Sequence, residues 1–391
     1  MFSRVKKHWS RWRSDDADES NLIEIFKPLY VLLLLMGLFP CSITFPKGKF
    51  SNVKQESIVI NSICTLIMIF SLSIILALDI SEVASFSMSH INYLIETVLL
   101  ITITIVSYFC IYYYRHLHIK NLTAVALTWT ELANSDAKHL LKQFRFMTWT
   151  LILGWLVMLI GGYSILGCIN KSGVWATVSV ILPEMVPSGL VGFYNVMGLM
   201  VASLLKNIEH QCGTLADNDK LSNIGFVRVK PKRFRNTVSQ LELAYKKTLE
   251  IKREINTAFQ AILMIVTLQA FHTVLTECHE LYRGLIKTGT FKVINIIYSL
   301  HWIIYQTLKM YAISFPGTVI ENEENKIGQT LLRIPTESMQ MIAEVQHFSS
   351  LMFYQETQMT AYGYFALDAT LVFNTFVAVA TYLVILVQFD S

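Results

Sequence analysis

Ile385, Gln388 and Phe389 fall at i, i+3 and i+4 close to the end of the chain, so on a helix they share one face. Two of the three are apolar and the third is an amide. A Gln turned to lipid is costly, so this face belongs against protein or water. Its mixed character suits either a helix–helix seam or the wall of a pore. Two acidic residues raise a second question. Glu96 and Glu184 each stand alone in an otherwise apolar stretch. A carboxylate inside a bilayer costs about 2.5–3.5 kcal/mol or more unless it is hydrated or paired. That expense points to a role in binding or transport. Asp368 lies nearer the cytoplasmic end of its apolar stretch and reads as structural, held by a polar neighbour.

The elements that carry these residues are membrane helices. The chain is 53% hydrophobic and only 15% charged over 391 residues; a soluble domain typically carries about 25% charged residues. A bilayer span needs about 20 apolar residues. Seven segments meet this: 57–79, 91–114, 146–169, 175–205, 255–277, 293–315 and 363–391. An eighth apolar run, 28–46, is shortened by Pro40 and Pro46 and reads as a membrane-dipping segment within an N-terminal region of 1–56. Basic residues set the orientation. With the N-terminus inside, the outer loops hold only Lys171, Arg283, Lys287 and Lys292, and the other 28 of 32 basic residues lie on the cytoplasmic side. The C-terminus is then extracellular. A G-protein-coupled receptor is oriented the other way, and the chain lacks the Asp-Arg-Tyr and Asn-Pro-x-x-Tyr elements in the third and seventh spans.

Three cytoplasmic regions separate the spans, and in the first, 115–145, Leu117, Leu122, Val125, Leu127 and Leu132 mix with polar residues and read as a continuation of the second helix below the membrane. Region 206–254 reads as a loop through Gly213, Asp217 and Gly225, then as a helix that carries the pair Glu242 and Lys246 and runs without a breaker into the fifth span. Region 321–362 reads as a cytoplasmic helix with Met339, Ile342, Val345, Phe348 and Met352 at spacings of three and four. The last span therefore comes in two pieces, one cytoplasmic and one spanning. Pro183 and Pro187 stand where they could break the fourth span. Cys168 and Cys278 both lie near the outer face, as a disulfide or as two unpaired thiols.

No Ser/His/Asp arrangement, HExxH, phosphate-binding Gly loop or CxxC spacing stands out, so the chain reads as neither an enzyme nor a metal or cofactor protein. Nothing points to nucleic acid. A transporter of a small polar solute is the alternative to a channel. Its intramembrane carboxylates would fit, but the chain shows no internal repeat.

The order Thr381-Tyr382, five hydrophobic residues, then Gln388-Phe389 resembles the C-terminal signature of insect gustatory receptors without a substitution. Gly37-Leu38-Phe39-Pro40 is similar to that family's Gly-Leu-x-Pro element, and Gly363-Tyr364-Phe365-Ala366-Leu367-Asp368 to its Gly-aromatic-x-Leu-Asp segment. The resemblance implies an all-α membrane protein with seven transmembrane helices and a cytoplasmic N-terminus. It implies four subunits around one pore, as a homo-oligomer or mixed with other gustatory receptors, and a tastant-gated non-selective cation channel in the plasma membrane. Ile385 and Phe389 would form the constriction with Gln388 beside them, and Thr381 and Tyr382 would pack the pore helix against its neighbours. The tastant, a sugar or a bitter compound, would bind in the outer halves of spans two to six. Residues there with hydrogen-bonding or stacking chemistry are Tyr93, Glu96, Thr97, Tyr163, Glu184, Gln269, His272, Thr273, Tyr298, His301, Trp302 and Tyr305. Membrane lipid and the tastant are the remaining partners.

Overall fold

The computed structural model describes residues 26–39, 88–132, 137–169, 174–222, 237–287, 292–334, 339–355 and 358–390, with four single positions between 63 and 70. The first span of the sequence reading, 57–79, lies almost wholly outside the described residues. Nine α-helices, one π-helical turn (Arg283–Lys287) and one small hairpin are described: α1 (Lys27–Leu35), α2 (Met88–Tyr113), α3 (Arg115–Glu131), α4 (Ala137–Ile169), α5 (Val174–Ser222), α6 (Val238–Tyr282), α7 (Val293–Leu331), α8 (Met339–Tyr354), β1 (Thr360–Ala361), β2 (Phe365–Ala366) and α9 (Thr370–Asp390). Among the described residues, five helices are long and apolar enough to cross a bilayer: α2, α4, α5, α6 and α9.

Helix α5 is the axis of the fold: 94% of its apolar stretch is buried, against 17% for α4 and for α9. Helices α4, α6 and α7 pack around it, and α1 lies against it. Phe26, Leu29, Leu33, Leu38 and Phe39 of the N-terminal apolar run are buried there. Gly37 takes φ 69° to turn the chain after α1, a conformation that favours glycine. Pro183 and Pro187 do not interrupt α5.

Helix α6 opens with a reciprocal cap. Thr237 Oγ1 accepts from the Gln240 backbone N–H at 3.3 Å, and Gln240 Oε1 accepts from the Thr237 N–H at 3.0 Å. Its 45 residues extend about 68 Å at 1.5 Å per residue, more than twice a hydrocarbon core of about 30 Å. The excess falls mainly at its charged N-terminal end, 238–254. There Lys252 pairs with Glu324 of α7 at 2.8 Å, with both side chains only 6% exposed, and His347 of α8 meets Glu242 at 2.9 Å.

Two boundaries differ from the sequence reading. Helix α5 continues to Ser222, through the Gly213 to Asp219 stretch read as loop. The last spanning helix starts at Thr370 rather than Gly363, because a hairpin intervenes. Tyr362 (φ 52°) and Gly363 (φ 75°) make its turn, closed by the Tyr364 N–H donating to the Ala361 carbonyl at 3.0 Å. Two successive positive φ values give the turn geometry that matches strand twist. Asp368 then caps α9. Its Oδ1 accepts from the Thr370 N–H at 2.9 Å and from the Thr370 hydroxyl at 2.6 Å, while Oδ2 accepts from Gln358 at 3.1 Å. Burial works against the Asp368 charge, but these bonds win and hold its carboxyl below the usual range.

On α3, His118 is 2% exposed, its ring 5.1 Å from Phe193 and 5.2 Å from Phe259. Burial pushes its pKa down to about 4. The unfolded chain takes up this proton near pH 6.5. Stability is therefore constant above that pH and falls as pH drops from 6.5 toward 4, by about 3 kcal/mol in all. The expected result is a thermal midpoint in detergent that falls with acidification in this window, with a shallower slope for His118→Leu. Equal slopes for parent and variant would show that His118 does not titrate on unfolding.

Candidate functional site

Two sites are built by these helices. The first is a polar seam running along α6 inside the membrane. Gln269 and Thr273 stand one turn apart on one face of α6 and are both about 1% exposed. Gln269 Nε2 donates to Glu184 Oε2 of α5 at 2.9 Å, and Lys309 Nζ of α7 donates to Gln269 Oε1 at 3.0 Å. Lys309 also pairs directly with Glu184. Thr273 donates to Glu96 Oε1 of α2 at 3.0 Å. Four helices thus meet at two hydrogen-bonded clusters one turn apart on α6, Glu184–Gln269–Lys309 and Glu96–Thr273. Each gives a partner to one of the carboxylates that the hydropathy pattern isolated.

The second site is a cavity of about 460 Å³ between α4, α5 and α7, with Leu29 of α1 also on its wall. Its size suits a small organic ligand. Trp155, Val157 and Met158 of α4, Gly192 and Val196 of α5, and Leu308 and Ala312 of α7 make most of its surface apolar. Most polar groups on the wall are bonded within the protein, while the Asn195 Oδ1 acceptor has no partner. Ser188 and Tyr305 share a hydrogen bond between hydroxyls at 2.6 Å. Lys309 is held by Glu184 and Gln269. Asn195 donates to the Val191 and Ala312 carbonyls, and Thr148 to the Phe144 carbonyl. Val157, Leu308 and Tyr311 are 66%, 49% and 53% exposed, so the cavity reaches the flank of the bundle between α4 and α7.

The sequence candidates divide among these places. Glu96, Glu184, Gln269 and Thr273 come together in the seam. Tyr298, His301, Trp302 and Tyr305 form an aromatic row on α7, each ring within 6.2 Å of Trp302. The His301 ring fits against α4 where Gly161 and Gly162 leave room: a Cβ at Gly162 would sit 3.0 Å from His301 Nε2. Of these residues only Tyr305 lines the cavity. Thr97 is half-buried beside Glu96, His272 is half-buried on α6, and Tyr163 is exposed on α4. The Tyr93 side chain lies outside the described residues. Sequence reasoning passed over Lys309, Ser188 and Asn195. A signal for Lys309 was present, since a lysine midway through an apolar segment needs a carboxylate partner.

On α9, one narrow face is covered: Leu371, Thr375 and Val379 are buried against α6 and α7. The rest is open, with Phe373, Val377, Val384 and Ile385 between 40% and 69% exposed. The Tyr382 ring meets Phe271 of α6 edge-on at 5.9 Å. Thr381 donates to the Val377 carbonyl of its own helix. Gln388 is exposed, and the Phe389 side chain is outside the described residues. Cys168 is exposed and Cys278 half-buried, and the two are unbonded.

The comparisons with known proteins agree with this architecture. Residues 26–391 match the model of a family described as 7tm chemosensory receptors. Gustatory and pheromone receptor 32a of Drosophila melanogaster is 31% identical over 147 residues, covering 38% of this chain and 32% of the relative. Gustatory receptor 68a of Drosophila melanogaster is 28% identical over 225 residues, 56% of this chain and 57% of the relative. The matched stretches therefore span from a third to just over half of those relatives. The solved structure of the insect olfactory receptor OR5 from Machilis hrabei superposes with a TM-score of 0.72, at 10% identity, over 94% of this chain and 98% of that one. Its complex with eugenol superposes with a TM-score of 0.68.

Proposed function

The chain belongs to the 7tm chemosensory receptor family, a family of multi-pass membrane receptors rather than enzymes, and on that premise we propose that it is a gustatory receptor: a tastant-gated, non-selective cation channel of the plasma membrane of chemosensory neurons. Four copies would surround one pore lined by α9. The observation that carries this reading is α9 itself. It is an apolar helix of 21 residues, of which only one narrow face is covered within a single chain. A helix open on its remaining faces suits contact with neighbouring copies on one side and a pore on the other. Ile385 and Phe389 would form the hydrophobic constriction, and Gln388 would give a passing cation a polar contact.

The cavity between α4, α5 and α7 is the place proposed for the tastant. Its chemistry favours an apolar or aromatic molecule of the bitter class over a sugar. A sugar brings many hydroxyls, and most would lose water hydrogen bonds on entry without gaining a partner, because the wall is mainly apolar and most of its polar groups are already bonded, Asn195 Oδ1 being an acceptor left open. An apolar ligand meets no such cost. The lateral extent of the cavity also gives molecules that dissolve in the bilayer a route between α4 and α7.

The test is to express the chain and record calcium entry and current against a panel of apolar bitter compounds and sugars. Responses to the former and not the latter are expected. Slow stoichiometric uptake without current steps would instead support a transporter. Ile385→Ser should wet the constriction and raise resting cation current several-fold while weakening ligand dependence. Unchanged resting current and selectivity in channels that still respond would remove α9 from the pore.

A further inference from the structure

We propose that Asn195 and the proline break at Pro316 form the mechanical link between the cavity and the start of the pore helix, an inference that rests on the receptor reading for its ligand and its pore. Pro316 lies inside α7 and has no N–H. The carbonyl four residues earlier, Ala312, therefore loses the donor that a regular helix would supply. Asn195 of α5 replaces it, donating from Nδ2 to the Ala312 carbonyl at 2.6 Å and to the Val191 carbonyl of its own helix at 3.0 Å. The Asn195 side chain is 1% exposed. Both Asn195 and Ala312 line the cavity, as do Tyr305 and Lys309 higher on α7. A molecule in the cavity thus bears directly on the bond that closes the helix break.

The other side of the break is clamped between two elements. Gly198, one turn along α5 from Asn195, faces the proline ring so closely that a Cβ there would lie 2.4 Å from Pro316 Cβ. The residue after the proline, Gly317, meets the backbone before α9: a Cβ there would lie 2.0 Å from the Leu367 carbonyl oxygen. Leu367 precedes Asp368, whose carboxylate caps α9 and whose carbonyl accepts from the Leu371 N–H at 3.1 Å. Proline breaks are where helices bend. In α7, which runs on as helix through Pro316, the Asn195 bond resists such a bend, and backbone contact at Gly317 passes any bend to the cap of α9. No soft side chain lies between to absorb the displacement.

The test is a double-mutant cycle in the full-length protein, using Asn195→Leu and Pro316→Ala. Alanine restores the N–H, so the Ala312 carbonyl no longer needs Asn195. Two quantities are read: the agonist concentration for half-maximal current, and deuterium exchange of the amides of residues 367–371 in purified protein. Asn195→Leu in the parent background should shift both about tenfold, the consequence of one orphaned buried carbonyl. In the Pro316→Ala background the same substitution should change both by less than about twofold. Equal factors in the two backgrounds would overturn the link. If Asn195→Leu fails to reach the membrane, Pro316→Ala alone decides. It should slow exchange at 367–371, and unchanged exchange there overturns the proposal. Exchange that follows the cycle in a protein silent to every agonist would leave the link standing and remove the receptor reading. Additive effects in a responsive channel would do the reverse.

Discussion

Gly317→Ala should remove the protein almost completely from the cell surface. The added methyl carbon would lie 2.0 Å from the Leu367 carbonyl oxygen and 3.1 Å from its carbon. Ordinary contact for such a pair begins near 3.5 Å, so the backbones must separate by more than 1 Å. Neither side yields easily. Gly317 follows a proline already packed on Gly198, and Leu367 is tied by its own N–H to the Met359 carbonyl at 2.8 Å. Overpacking of a flexible core costs about 1–3 kcal/mol; a clash of backbone with backbone should exceed that range and consume much of a typical domain's stability. Gly167→Ala is the control, since a methyl carbon added there meets nothing within 4 Å. Surface labelling and size-exclusion profiles of tagged protein should show Gly167→Ala at parent level and Gly317→Ala below about a tenth of it. Normal surface expression and current for Gly317→Ala would mean that α7 and the α9 cap are not in contact in the membrane.

The same contact shows where sequence reasoning stopped. Five apolar helices among the described residues, α2, α4, α5, α6 and α9, were legible because hydropathy is a property of one segment. The helical course of α9 was legible for the same reason. The start of α9 was not. Tyr364, Phe365, Ala366 and Leu367 are apolar enough to extend a helix, and only the positive φ at Tyr362 and Gly363 shows that they form a hairpin arm. Tyr362 is an uncommon choice for a left-handed position, so no turn signal stood out. Helix α5 was cut short for the opposite reason. Its tail to Ser222 is polar and contains Gly213, and propensity favoured a loop; yet Cys212 and Ala216 are buried in the shared core. The ligand candidates were chosen by depth and chemistry, which cannot say which helix a face meets. Tyr298, His301 and Trp302 turn to α4 and to one another, and Glu184 turns to Lys309, so only Tyr305 reaches the cavity.

Lys309→Met should be the most destabilising polar substitution within the membrane, and removing its partner as well should largely repair it. The side chains of Lys309 and Glu184 are 4% and 2% exposed, and Gln269 bridges them with one donor and one acceptor. Taking away the cation leaves the Glu184 carboxylate without a counter-charge in low-dielectric surroundings. Breaking a buried pair from one side costs about 3–5 kcal/mol, whereas replacing both partners by apolar residues of similar volume is often neutral. Lys309→Met should therefore lower the thermal midpoint and the surface level sharply. Lys309→Met with Glu184→Leu should recover most of both, leaving the smaller cost of a Gln269 amide without partners. The order matters more than the size. A structural pair predicts that the double variant is more stable than Lys309→Met alone. A pair kept solely to touch ligand predicts near-parent stability for all variants, with lost agonist response in each. A midpoint for Lys309→Met equal to the parent's would sink the structural assignment and return Glu184 to the ligand site. Recovery in the double variant, with agonist response intact, would leave the cavity wall above the pair as the place where ligand chemistry is read.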